Sequence, residues 1–113
     1  MGYAEDKILR MRVLEGAIID LNQAKLITES MKRLADETPI PVLIDGRQNY
    51  TWNKDAQEYI AQHSDFRLAT ALITNNPLIR IISNSYAKIF KPTYPLRIFS
   101  NEEKAVEWLR SLM

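Results

Sequence analysis

The sequence predicts an α/β fold: a mixed, mostly parallel sheet of four to five strands covered by four helices. Two observations carry this. Short β-compatible apolar runs alternate along the chain with segments whose apolar residues recur at helical spacing, the order that favours parallel strands joined by right-handed crossovers. The chain has 113 residues, of which 46% are hydrophobic and 26% charged, the composition of one globular domain rather than a disordered or fibrous chain. Such a domain buries roughly two thirds of its unfolded surface.

The first strand is expected over Lys7–Leu14, where Leu9, Met11 and Val13 alternate with Ile8, Arg10, Arg12 and Leu14. Glu15-Gly16 supplies a turn and Ala17-Ile18-Ile19 a brief pairing partner, so a loose hairpin is expected, with the first strand running against the rest. Asp20, three residues before Gln23, reads as the start of helix one, which carries Leu21, Ala24, Ile27, Met31, Leu34 and Ala35 on its apolar face. Pro39-Ile40-Pro41 cannot continue that helix and feeds the strand Val42-Leu43-Ile44-Asp45.

Gly46 and Arg47 follow, then a polar loop from Gln48 to Asn53. A weaker helix over Lys54–His63 carries Ala56, Tyr59, Ile60 and His63. Arg67–Thr74 is a nearly continuous apolar run, as expected for a strand covered on both faces. Asn76 with Pro77 starts helix three, whose expected core stripe is Leu78, Ile81, Ile82, Ser85, Tyr86, Ile89 and Phe90. Leu96–Phe99 is the last strand. Ser100 with Glu103 reads as a capping box for the last helix, whose apolar face is Ala105, Val106, Trp108, Leu109 and Leu112.

Fifteen basic residues against fourteen acidic ones give a net charge of +1, far short of what a phosphate backbone demands, so no nucleic-acid partner is expected. The chain has no cysteine, which removes disulfides, thiolate metal sites and cysteine nucleophiles and fits a reducing compartment. Met1–Lys7 is polar, and no apolar run approaches the ~20 residues of a membrane span, so a cytoplasmic protein is expected. The single histidine, His63, sits beside Ser64 and Asp65. Consecutive residues cannot form a triad, and a helix terminus accounts for it better. No metal or cofactor is expected, because one imidazole and scattered carboxylates give no ligand spacing.

The element order, with Glu15-Gly16-Ala17-Ile18-Ile19-Asp20 and its helix, Pro41–Asp45, the Thr70–Pro77 strand and turn, and Phe99–Leu109, resembles the STAS or SpoIIAA-like domains. These include anti-sigma-factor antagonists and many uncharacterised bacterial proteins. The resemblance covers nearly the whole chain and implies a non-enzymatic regulatory or protein-interaction role. In the signalling members an aspartate ends the corresponding strand, and an Asp-Ser-type motif with its phosphoacceptor begins the next helix. Asp45 matches, but Asn53-Lys54 stands where the acid and hydroxyl belong. Thr51 is the nearest hydroxyl and reads more simply as a cap or turn residue.

Two candidate surfaces follow. Asp45, Arg47, Tyr50, Thr51 and Trp52 form the expected partner-binding segment, since aromatics concentrate in hot spots, although Trp52 equally suits a plug at the core's edge. The partner would be another protein, a second copy of the chain included. Asn75, Asn76 and Arg80, with Arg47 and with Asn101 at a further strand end, suit a small anion, though Asn-Asn-Pro is more simply turn chemistry. Tyr86, Phe90 and Tyr94, with Ile81, Ile82 and Ile89, could line an apolar cleft. Because these domains share broad features with Sec14-like lipid-binding folds, a carrier or sensor of a small apolar ligand is the alternative function. Catalysis ranks third, with only a carboxylate site conceivable.

Overall fold

The computed structural model describes residues 2–3 and 7–113. Most of the Met1–Lys7 segment, read above as a polar N-terminus, therefore lies outside the described residues. The elements are β1 (Gly2–Tyr3), β2 (Leu9–Arg12), β3 (Ala17–Ile19), α1 (Leu21–Ala35), β4 (Ile40–Asp45), β5 (Tyr50–Trp52), α2 (Lys54–Gln62), β6 (Arg67–Ile73), α3 (Pro77–Phe90), β7 (Leu96–Phe99) and α4 (Glu102–Ser111). Five strands form one sheet in the order β1-β2-β4-β6-β7, and β3 pairs with β5 in a separate two-stranded sheet.

The main sheet is parallel except for β1, which runs against β2. From β2 onward the strands are added in one direction, so three successive right-handed crossovers place α1, α2 and α3 on the same face. Among the described residues only the terminal helix, α4, is left to cover the opposite face. There Ala105 and Leu109 pack on Ile8, Leu43, Ala69, Ala71 and Ile73, with Trp108 partly buried against the cluster. On the other face Leu9, Val42 and Phe66 meet Met31 and Ala35 of α1, while Val13 and Ile19 meet Ala24 and the Ala56 and Ile60 pair of α2.

Several sequence expectations need correction. The first strand does not run against the rest: β2 is parallel to β4, Leu9 opposite Val42. Nor does it form a hairpin with Ala17–Ile19, whose register partners are Tyr50–Trp52. The stretch between Gln48 and Asn53 is thus not all loop, because Tyr-Thr-Trp has strong strand preference and finds β3 as a partner. The turn itself stands: Gly16 takes φ +78° and Ala17 N–H donates to the Leu14 carbonyl at 3.1 Å.

At the last helix the cap is Asn101, not Ser100. Its side chain accepts from the Lys104 N–H at 3.1 Å, so an N-x-x-K register one residue on displaces the S-x-x-E pattern. Asp20 and Asn76 do cap their helices, accepting from Gln23 N–H and Leu78 N–H at 2.9 Å each. Helix three is rotated from its expected setting. Its buried residues are Ile79, Ser83 and Tyr86, while Leu78, Ile81 and Ile89 are 61%, 62% and 61% exposed. The residues Leu78, Ile79, Ile81, Ile82 and Ile89 share one broad arc of the helix, so spacing alone could not choose which edge of that arc faces inward.

Candidate functional site

The end of β4 is built by a covalently local ion pair. Arg47 Nε donates to Asp45 Oδ1 at 2.9 Å and Nη2 to Oδ2 at 2.7 Å, while the Arg47 backbone N–H adds a 3.2 Å bond to Oδ1. The hydrogen-bonded guanidinium holds the Asp45 carboxyl below its usual range, against an upward push from partial burial. Both lone-pair faces of the acid are therefore engaged within its own turn, which suits a fixed turn better than an acid–base role.

Between these two residues Gly46 makes the close approach its lack of a Cβ allows. Its N–H donates to the Ile73 carbonyl at 2.8 Å. A Cβ there would stand 2.9 Å from Leu72 Cδ1 and 3.0 Å from the Tyr50 hydroxyl. The glycine lets β4 end tightly against β6 and leaves space for the Tyr50 hydroxyl.

The β3–β5 pair then sorts the expected partner-binding residues by strand alternation. Ile18 pairs with Thr51, and both point to solvent. Ala17, Ile19, Tyr50 and Trp52 point the other way, into the cluster formed with Val13, Ile44 and Tyr59. Of the five residues, only Arg47 and Thr51 are exposed, and Thr51 sits mid-strand rather than at a cap or turn. Trp52 plugs the core, its ring 4.7 Å from that of Tyr86.

That contact joins the two surfaces that sequence reasoning kept apart. Tyr50, Trp52 and Tyr86 line one apolar cavity of about 50 Å³, with Met11, Ile44, Thr70 and Leu72 of the sheet as its floor and Ile27 and Ile60 of α1 and α2 in its wall. Burial pushes the Tyr50 hydroxyl up to about 12. It drives the Tyr86 hydroxyl still further in the same direction, helped by the Tyr94 hydroxyl 2.6 Å away. Phe90 is half-buried behind Tyr86, its ring centroid 6.1 Å away, and is not among the lining residues.

One lining residue gave no signal in the sequence: Arg67, only 6% exposed. Its placement follows from a break in the ladder. Ile40 pairs with Arg67 but Pro41 with Ala69, so Leu68 is an extra residue on β6. Pro41 has no N–H to give the ladder, and an interior strand tolerates it at such a bulge. Strict alternation would put Leu68 beside Thr70; the bulge instead turns Arg67 to that side, where its Nη1 donates to Thr70 Oγ1 at 3.2 Å.

The remaining partners of Arg67 are weak. Nη2 reaches only the Met31 sulfur at 3.5 Å, and the guanidinium carbon lies 5.2 Å from the Tyr94 ring centroid and 5.8 Å from that of Phe66. Nε has no acceptor, nor does the buried Trp52 Nε1. Among the described residues no carboxylate pairs with it. Ring faces return about 2 kcal/mol to a desolvated cation, whereas removing an ion from water costs several. The site holds an uncompensated positive charge at the edge of an apolar space.

The other expected anion-binding residues do not join it. Asn76 spends its side chain on the helix cap and on a 3.0 Å bond from Nδ2 to Asn49 Oδ1. Asn49 in turn donates its backbone N–H to Glu15 at 3.0 Å, a tie at the start of the β3–β5 pair. Asn75 and Arg80 are exposed, and Arg80 borders a shallow groove with Ser83, Asn84 and Arg97. His63 stacks on Tyr59 with centroids 4.0 Å apart at the end of α2. No group of three or more metal-ligating side chains occurs among the described residues, and no described helix is long and apolar enough to cross a membrane.

The chain is similar in fold to the crystal structure of an uncharacterized protein of the DUF3478 family with a SpoIIAA-like fold from Shewanella loihica PV-4. The TM-score is 0.68 at 16% identity, over 96% of this chain and 89% of that one. No curated protein matches. The SpoIIAA-like α/β architecture thus holds across the sheet, its crossovers and the two-faced helix cover described above. Residues 2–113 match the family described as Domain of unknown function (DUF7793), and the chain belongs to that family.

Proposed function

We propose that this protein is a non-catalytic, ligand-responsive regulatory domain that takes a small apolar molecule between its sheet and α3. One observation carries the reading: Tyr50 and Trp52 of β5 and Tyr86 of α3 converge on a cavity whose lining is almost wholly apolar. Ligand sites are commonly concave, apolar and furnished with a few polar groups. The resting cavity, about 50 Å³, is smaller than the roughly 150 Å³ that holds benzene in an engineered core, so occupation requires α3 to move outward. Helix α3 suits that motion because three of its five leucine and isoleucine residues face solvent and only Ile79, Ser83 and Tyr86 are buried.

Titration with small apolar molecules, followed by NMR, tests this. Binding is expected to shift the indole N–H signal of Trp52 and to disappear in Leu96→Phe, which puts a ring into the cavity. Shifts confined to the outer face, or unchanged in Leu96→Phe, would remove the cavity from the argument.

The row Leu78, Ile81 and Ile89 favours a second, compatible reading, in which α3 presents an aliphatic face to a protein partner when the ligand repositions it. A phosphorylation switch at the start of α2 forms no part of either reading. Asn53 stands at that position without a side-chain cap bond, and Thr51 belongs to β5.

A further inference from the structure

We infer that the cavity's ligand is an apolar carboxylic acid, bound as its anion by Arg67; this rests on the cavity being a ligand site. Three observations lead there. Arg67 is buried and lines the cavity, and its Nε has no acceptor. The β-bulge at Leu68 puts it there, turning a charged side chain to the face that strand alternation would have given to a leucine. A bulge that re-aims a side chain is a recurring device beside binding sites. Lastly, Trp52 lines the same space and its buried indole Nε1 also lacks an acceptor, offering a second donor.

The chemistry selects a monoanion with an apolar body. Among the lining residues Arg67 is the only charged one, so a carboxylate neutralises it, whereas a phosphate dianion would leave a net negative charge in an apolar surround. A planar carboxylate also matches the guanidinium fork, taking the free Nε–H together with a neighbouring Nη proton. Met11, Ile27, Ile44, Ile60 and Leu72 supply the apolar surface for the tail. Met31, whose sulfur is the poorest partner of Arg67, would yield its place to the anion.

The test compares hexanoate and octanoate with 1-hexanol and 1-octanol at pH 7 by calorimetry. It uses Trp108→Phe protein, so that Trp52 also reports by fluorescence; Trp108 packs on the opposite face of the sheet. The acids are expected to bind at least 30-fold more tightly than the alcohols of equal length and to quench or shift Trp52 emission. Arg67→Met should abolish that preference while leaving the alcohols' affinity unchanged or improved. Arg67→Lys, which keeps the charge but not the fork, should retain part of it. Acids and alcohols bound equally by the Trp108→Phe protein, or acids bound equally by Arg67→Met, would overturn the carboxylate assignment and leave the apolar site standing. No binding of either class would overturn both.

Discussion

Gly46 shows how much a single missing Cβ decides at the residue scale. Alanine there meets Leu72 Cδ1 at 2.9 Å, the Tyr50 hydroxyl at 3.0 Å and the Ile73 carbonyl at 3.3 Å, and the last of these is backbone in an adjacent strand. Side-chain ends can move, but the strand end cannot without loosening its ladder. Gly46→Ala is therefore expected to lose about 1–3 kcal/mol in urea denaturation, the usual cost of overpacking. Tyr50 itself gives a pH signature. Its hydroxyl titrates near 12 in the folded chain against an ordinary value of 10, so its contribution to stability is whole below pH 10 and is lost as pH rises through about 12. Tyr50→Phe should make the fall in stability over that window shallower, measured by denaturation at fixed pH steps. Some slope should survive, because Tyr86 is shifted in the same direction.

At the scale of elements, α3 is the least constrained helix. It begins well, with Asn76 as cap and Pro77 in the first turn, but it ends on Lys91 at φ 45°, a left-handed conformation that glycine adopts more readily. Lys91→Gly should raise stability by about 1 kcal/mol in chemical denaturation, since removing the Cβ relieves the left-handed penalty. A marginal helix that exposes Leu78, Ile81 and Ile89 and closes the cavity through Tyr86 has the properties of a movable cover. β4 and β6 contrast with it, being interior strands packed on both faces. Hydrogen exchange should accordingly be slowest in β4 and β6 and fastest among the helices in α3, and a bound ligand should slow α3 selectively. Equal protection of α3 and β6 in the free protein would argue against a helix that opens.

Over the whole molecule, one-directional strand addition places three helices on one face and leaves α4 alone on the other. The cavity lies on the three-helix face, where Ile27 of α1, Ile60 of α2 and Tyr86 of α3 meet over the sheet. The alternation of strand and helix, the Asp20 and Asn76 caps and the apolar run of β6 were legible in the residues, since they rest on local spacing and backbone chemistry. Strand direction at β2, the β3–β5 pairing and the inward side of α3 were not, because each depends on partners far away in sequence. The same division runs through the site. Tyr50, Trp52 and Tyr86 stood out as residue types, but only packing brought their rings together. Arg67 looked like the first residue of a buried strand, and Pro41 like a helix breaker. The α/β order and the absence of cysteine chemistry follow from the residues alone. The tertiary structure alone decided that a proline without an N–H, opposite β6, bulges the ladder and turns an arginine into an apolar cavity, because a register shift exists only between paired strands.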